Sequence, residues 1–550
     1  MSASSKKKLR KELNAAAMTE KQLQEQKETK KLRLYTAIFG AAIAVMILVV
    51  IVSRIFGTGV VPRNTTALTV GETKVSAAEL NHYYIDSVNN FLTQAGDMVS
   101  LFGLDTTKAL DEQFYSEVDE KTWSDYFMDQ ATASAQNMYA VYNAAKAEGF
   151  TLSEDAKASI DATVENMKLY ATMYGFGSAD AYITAMYGEG CNEKTFRQYA
   201  EVQMIAQEFA TAKNESLTYD DAAIRAKEAE NFNAFSNFTY NYCYLAASKF
   251  YEGGTENEDG TKTYSDEEME AGRAAAEAAA NSLMSATNIA ELDAAYAALE
   301  INAEVENAKS TRRENYQYAN VDTAIREWVT SADRASGDIA LIPSEYTSHD
   351  HAEGEECTGD NDTKSVSGYY VVLFEGKDDN LTQLVNVRHI LFSYEGGTTD
   401  ETTGTTTYSD EEKAKAKAAA DEILAAFEAG EKTEEAFAAL ATEKTTDPGS
   451  KENGGLYENV YPGQMVTAFN DWCFDAARKT GDTAIVETEY GCHVMYFVGN
   501  SDMTYRDFMI ESSLRNADLS AWETGLIDAA KLEVLNTKYV KTDLVLSNGE

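Results

Sequence analysis

Histidine, proline and cysteine are the scarce residues of this chain, with 5, 4 and 5 among 550. Proline falls far below its usual share of about 5%, which argues for mainly helical structure with few Pro-rich linkers. The cysteines (Cys191, Cys243, Cys357, Cys473, Cys492) are odd in number and widely scattered. No CxxC or similar close pair suggests a zinc site or a disulfide framework. Cys473 and Cys492 stand among apolar neighbours and read as small buried hydrophobes rather than reactive thiols. Positive charge is also short, with 47 Lys/Arg against 90 Asp/Glu and a net charge of −43. So acidic a body repels phosphate backbones, which sets nucleic-acid binding aside.

The charge is unevenly spread. Residues 1–54 hold 11 Lys/Arg and 4 Asp/Glu, whereas the other 496 hold 36 and 86. Between Arg33 and Arg54 lie 20 residues without a charge, Leu34 to Ser53. At ~1.5 Å per residue they would span about 30 Å, a bilayer core. A cleaved signal peptide is the alternative, but the run is long and no small-x-small site follows it. There is no lipobox cysteine either. The basic stretch before the run predicts a cytoplasmic N-terminus against anionic headgroups and an extracytoplasmic body.

After a short strand-like piece, Ala67 to Val75, the spacing Ser76-Ala77-Ala78-Glu79 predicts a helix start with a capping box. From there to about Phe232 apolar residues recur at helical intervals, as in Phe127, Met128, Ala131 and in Met167, Tyr170, Ala171, Tyr174. An internal repeat follows. Tyr251-Glu252-Gly253-Gly254 and Tyr264-Ser265-Asp266-Glu267-Glu268 are answered by Tyr394-Glu395-Gly396-Gly397 and Tyr408-Ser409-Asp410-Glu411-Glu412. Thr323-Ala324-Ile325 and Trp328 are answered by Thr467-Ala468-Phe469 and Trp472, and Gly368-Tyr369-Tyr370-Val371 by Gly491-Cys492-His493-Val494. Each copy reads as strand, acidic turn, two helices, loop, helix and two strands. In the second copy these are Leu384–Phe392, Ser409–Phe427, Thr433–Thr442, a loop over 446–463, Thr467–Ala477, Ala484–Thr488 and Cys492–Val498.

The second copy carries the residues with chemistry: Val387-Arg388-His389-Ile390-Leu391, Thr446-Asp447, Gly454-Gly455, Gly463-Gln464-Met465-Val466-Thr467-Ala468-Phe469, and Thr488 to His493. Their order and spacing resemble the parvulin family of peptidyl-prolyl isomerases over roughly Val385 to Gly499. More loosely, the N-terminal part resembles the chaperone region of the SurA and PrsA families. The fold so implied is α+β, with a small antiparallel sheet wrapped by helices in each of two tandem parvulin-like domains. The expected organisation is a basic cytoplasmic segment 1–33, a transmembrane helix 34–53, a helical chaperone-like domain 54–235, a degenerate parvulin-like domain 236–376, a parvulin domain 381–500 and a helical segment 501–550 packing on the chaperone domain.

X–Pro bonds rotate in tens to hundreds of seconds because amide resonance resists twisting. A catalyst needs neither nucleophile nor metal; it must hold the prolyl ring, exclude water and favour the twisted amide. The resemblance implies a prolyl pocket of Leu456, Met465 and Phe469. It implies a catalytic network of paired histidines, His389 and His493, with Asp447 and the Thr488 hydroxyl, and no cofactor. The chain departs from the family at Tyr457-Glu458-Asn459, where a glycine is usual. Its sequence after Leu391, Phe392-Ser393-Tyr394-Glu395, lacks the basic cluster of phosphate-dependent members.

The first copy has Tyr370 for His493, no histidine for His389 around Tyr244 to Lys249, and Val321 and Ile325 for Met465 and Phe469. It reads as inactive. Its insertion holds His349, His351 and Cys357, but no fourth ligand or strict spacing, and reads as a solvated acidic loop rather than a metal site. The expected partners are unfolded or partly folded secreted polypeptides and, through one helix, the membrane. The oligomeric state is open, a dimer being one option. A holdase or scaffold using both copies only to bind is the rival reading.

Overall fold

A computed structural model describes residues 58–546, apart from 117, 258, 350–361 and 401–402, together with 4–8 and 46. The expected transmembrane run, apart from Met46, and residues 350–357 of the insertion, with His351 and Cys357, lie outside the described residues. Among the described residues no helix is long and apolar enough to cross a membrane, and no group of His, Cys, Asp or Glu is placed to hold a metal ion. The chain divides into two compact units, residues 1–218 with 516–550, and residues 219–515.

In the first unit, strands β1 (Thr66–Val70) and β2 (Thr73–Ser76) form a hairpin, and Leu532–Val534 adds an antiparallel third strand against β1 with Leu68 opposite Val534. The expectation of a helical C-terminal tail therefore holds only for the helix Tyr505–Ala529. Helix α1 (Ala77–Ala95) starts where Ser76 accepts a hydrogen bond from the Glu79 amide. The Glu79 carboxylate is buried, accepts the Tyr139 hydroxyl and is also held by the Ser76 backbone. Longer helices that follow α1 are α2 (Trp123–Ala147), α3 (Glu154–Met173), α4 (Ala179–Tyr187) and α5 (Glu193–Ser216). The helical stripe of α2 is buried at Phe127 and Ala131, and that of α3 at Met167 and Ala171. Tyr170 and Tyr174, of the same α3 pattern, are exposed. Trp522 packs on Phe209, with ring centroids 5.6 Å apart.

The second unit contains two four-stranded antiparallel sheets. The first uses β3 (Asn237–Ala246), β4 (Thr311–Gln317), β5 (Ile339–His349) and β6 (Asp362–Asp378), in the order β4-β3-β6-β5. Helices α6 (Asp266–Leu283) and α7 (Ile289–Ala297) lie between β3 and β4, and α8 (Thr323–Val329) between β4 and β5. The second uses β7 (Gln383–Ser393), β8 (Leu456–Val460), β9 (Thr483–Thr488) and β10 (Gly491–Thr504), in the order β8-β7-β10-β9. Here α9 (Asp410–Ala429) and α10 (Glu434–Lys444) lie between β7 and β8, and α11 (Thr467–Cys473) between β8 and β9. The chain order of elements is thus the same around both sheets. Ser265 and Ser409 start α6 and α9 through closed capping boxes with Glu268 and Glu412, so the repeated Ser-Asp-Glu-Glu is a local helix-start signal.

Both faces of the second sheet are covered. Ile390, Val494 and Tyr496 pack with Ala416, Ala420 and Phe437 on one side; Val387, Met495 and Phe497 pack with Phe469 and Trp472 on the other. This double burial explains why β10 begins as an unbroken buried run, Gly491 to Phe497, rather than alternating. Cys473 and Cys492 are buried in these two layers and carry no disulfide. Within the same unit Arg506 is fully buried. Its guanidinium pairs with Glu228 at 2.5 Å, bonds the Phe235 and Asp379 carbonyls and stacks 3.7 Å over the Phe232 ring.

Candidate active site

Along the central pair of the second sheet Leu391 faces His493 and His389 faces Met495, so the two imidazoles come from diagonal positions on one face. Their Nδ1 atoms are 3.1 Å apart and their rings stack at 5.3 Å. Phe469 meets both edge-on, at 5.6 Å from His389 and 5.4 Å from His493. Two glycines make room for this packing. Gly455, at φ +75°, receives the His389 amide at 2.8 Å, and a Cβ there would stand 2.2 Å from the His389 carbonyl. Gly491, at φ +149°, opens β10 where a Cβ would collide with the Phe392 carbonyl.

The polar contacts form one line. Thr488 Oγ1 lies 2.9 Å from His493 Nε2, the two Nδ1 atoms meet, and His389 Nε2 lies 3.0 Å from Asp447 Oδ2. The same carboxylate oxygen accepts the Tyr457 hydroxyl at 3.0 Å and the Ser450 hydroxyl. An ionised Asp447 can only accept, so His389 Nε2 must carry a proton toward it. A neutral His389 then has a bare Nδ1, which takes the proton on His493 Nδ1. His493 Nε2 is in turn left to accept the Thr488 hydroxyl. One ionised carboxylate therefore fixes both tautomers, and every ring nitrogen is used.

The electrostatics fit this pattern. Burial lowers His493, further helped by the neighbouring His389, to about 4. Burial also lowers His389, although Asp447 pulls it the other way. The 3.0 Å contact of His389 with Asp447 is thus a hydrogen bond between a neutral ring and a carboxylate. For Asp447 burial would raise the carboxyl, but the Ser450 and Tyr457 donors and His389 outweigh it and hold it below its ordinary value. Burial and then Asp447 push Tyr457 up to about 12, so it stays a donor.

Of the three pocket residues expected from sequence, Phe469 is buried in the cluster over this face and Met465 packs against it. Leu456 does not belong to that cluster; Tyr457 does. The reason is a strand where the sequence suggested a loop. In β8 Val387 pairs with Tyr457 and Arg388 with Leu456, and neighbouring residues of a strand point to opposite faces. Tyr457 stacks on His389 at 4.9 Å and takes the place expected for Leu456. Ser450 was also missed in the sequence. A lone serine carries no signal, and it reaches the site only through the turn closed by the Gly455 amide on the Ser450 carbonyl at 2.7 Å.

The first sheet offers a direct comparison. Ser393 pairs with Gly491 as Ala246 pairs with Gly368. Stepping inward from these pairs, Tyr370 falls at the position of His493 and Tyr242, rather than a residue between 244 and 249, at that of His389. Their rings lie 5.7 Å apart, and the Tyr370 hydroxyl donates to Asp322 at 3.0 Å.

Residues 369–499 match the PPIC-type PPIASE domain family. Foldase protein PrsA 2 of Listeria monocytogenes is 35% identical over 102 residues, 18% of this chain and 31% of that one. Foldase protein PrsA 1 of Listeria innocua is 29% identical over 126 residues, 22% of this chain and 42% of that one. The chain thus spans less than half the length of these curated relatives. Among solved structures, PrsA from Bacillus subtilis aligns over 29% of this chain and 54% of that one, at 24% identity and a TM-score of 0.18. The histidine pair, its carboxylate and its apolar cover lie inside the matched residues, and the chain carries a parvulin-type, PPIC-class peptidyl-prolyl isomerase domain similar to that of PrsA foldases.

Proposed function

We propose that this chain is a membrane-anchored extracytoplasmic foldase that isomerises X–Pro bonds in secreted polypeptides with residues 381–500. The observation that carries this is the one-directional line from Thr488 through His493 and His389 to Asp447, lying under Phe469 and Met465. In this reading the prolyl ring packs on Met465 and Phe469, with Tyr457 closing the side. Twisting the amide ends its resonance, so the carbonyl becomes less polar and the nitrogen more basic. A low-polarity cover disfavours the planar, more polar amide, and a neutral histidine pair presents no charge that would favour it. His389 and His493 hold Asp447 and Thr488 in fixed orientations at the two ends of the line, so no reorganisation is needed as the bond turns.

Residues 236–376 act in this proposal as a degenerate copy without isomerase chemistry, because tyrosines replace both histidines. The first unit serves as the chaperone part. Its support is a set of exposed apolar side chains, Met98, Leu101, Phe102 and Phe114, between 55% and 80% exposed, of the kind that marks binding surfaces. The anchor is the uncharged run from Leu34 to Ser53, with the basic segment on the cytoplasmic side.

The test is a proline-peptide isomerisation assay on the full chain. His389→Ala and Met465→Ala should each lower kcat/KM by about tenfold or more, the order expected for loss of one positioned group. Parent-like rates in both variants would refute the assignment. Suppression of client aggregation with no isomerase rate would favour the holdase reading.

A further inference from the structure

The residues that replace the catalytic set in the first sheet form an organised surface. Tyr242, Tyr244 and Tyr370 are half-buried on one face, with Tyr244 and Tyr370 rings 4.7 Å apart and Tyr242 and Tyr370 rings 5.7 Å apart. Tyr240 pairs with Arg313 across the strands as Val387 pairs with Tyr457, so Arg313 occupies the position of Tyr457. Its guanidinium lies over the Tyr242 ring at 5.7 Å and the Tyr316 ring at 5.2 Å, and donates to the Tyr242 hydroxyl at 3.3 Å.

The charge on Arg313 is left open. Its neighbour Arg312 is neutralised by Glu314 and Glu375. Among the described residues Arg313 makes no ion pair, in a chain with almost twice as many acids as bases. Asp322, the acid bonded within this cluster, takes the Tyr370 hydroxyl and caps α8 through the Ala324 amide. A guanidinium held near two rings and bonded to one of their hydroxyls is oriented before a ligand arrives, and its remaining donors suit a carboxylate. The tyrosine faces beside it suit the ring of an extended, proline-containing segment, whose backbone needs little further ordering.

We propose that this tyrosine-lined face is a second peptide-binding site, which takes extended segments carrying a carboxylate next to a prolyl ring and does not isomerise them. It rests on the reading of residues 236–376 as a degenerate copy of the isomerase domain. Such a site would hold a client near the catalytic copy of the same chain, raising its effective concentration there.

The experiment is fluorescence anisotropy with the full-length chain and a labelled Gly/Ser decapeptide bearing one central Glu-Pro, compared with the same peptide bearing Gln-Pro. The parent should bind Glu-Pro at least fivefold more tightly than Gln-Pro. Arg313→Gln should erase that preference while leaving the isomerase rate unchanged, and Tyr370→Ser should weaken both peptides. Phe469→Ala should keep the preference. No preference in the parent, or a preference that survives Arg313→Gln, overturns the proposal. Loss of the preference in Phe469→Ala overturns it as well, because recognition would then belong to the other sheet. Should Arg313→Gln unfold the first sheet, Arg313→Lys decides. That variant keeps the charge but not the fork, so at least a threefold loss of preference is expected and full retention is refuting. A chain with the preference but no isomerase rate would refute the catalytic reading and leave this one standing.

Discussion

Lowering the pH from 7.5 to 5 should cost the second sheet's domain about 2 kcal/mol through His493 alone. The ring is 6% exposed and sits between His389 and Thr488, and burial lowers it to about 4. In the unfolded chain a histidine titrates near 6.5. Between those two values the unfolded state binds a proton that the folded state refuses. The stabilisation from a neutral His493 is therefore complete above the unfolded value and is lost as the pH falls toward 4. His389, also lowered, adds in the same direction. The direct assay is a 13C-histidine NMR titration, in which single substitutions assign the five histidine signals. The His493 signal should stay in its neutral form down to about pH 5. The stability consequence is read by urea unfolding of parent and His493→Asn at both pH values. The parent should lose about 2 kcal/mol more than the variant between them. A His493 midpoint near 6.5, or equal losses in the two proteins, would show that the imidazole pair is not held neutral by burial.

Tyr457→Phe keeps the ring on His389 but removes one donor from Asp447, so the carboxyl should rise toward its ordinary value. The acid limb of the kcat/KM profile should then move to higher pH, with a loss of about 1–2 kcal/mol in transition-state stabilisation; an unmoved limb refutes a role for this hydroxyl. Arg506→Met removes a fully buried guanidinium that holds Glu228 and two backbone carbonyls. It should destabilise the second unit by about 3–5 kcal/mol, seen as a drop in the denaturation midpoint, and a change below 1 kcal/mol would contradict the contact pattern.

What the sequence revealed and what it concealed divide along local and non-local lines. The central strand expected over Leu384–Phe392 is Gln383–Ser393, and the helix expected over Ser409–Phe427 is Asp410–Ala429. Both announce themselves locally, the first by apolar β-branched residues and the second by its capping box. Strand β8 does not. Leu456-Tyr457-Glu458-Asn459-Val460 contains two poor strand formers, is five residues long, and has Asn459 at φ +54°. It becomes a strand because β7 offers an unpaired edge, and that pairing decides that Tyr457 faces the histidines and Leu456 does not. A one-residue error on such a segment exchanges the two faces. At Ser76 the local spacing gave the helix start, whereas the burial of Glu79 against Tyr139 is a tertiary contact that no local pattern shows.

The two sheets place their fixed charge at opposite ends of the corresponding pair. In the second sheet the fixed charge sits beside His389, on Asp447 from the loop after α10, and the residue before α11 is the apolar Val466, which caps nothing. In the first sheet the residue before α8 is Asp322, and it bonds Tyr370, the counterpart of His493. The anchoring carboxylate therefore stands at the opposite end of the pair. Placing imidazoles at 242 and 370 would give a line whose proton order runs backwards, with its far end facing Arg313, a group that can only donate. That far imidazole would be left with a bare nitrogen, which the Arg313 guanidinium could meet as a donor, so a reversed relay is chemically open there. The same strands and helices thus carry a neutral relay in one copy and an aromatic, cationic surface in the other, and the difference lies in the side chains at two positions, histidine against tyrosine, rather than in the scaffold.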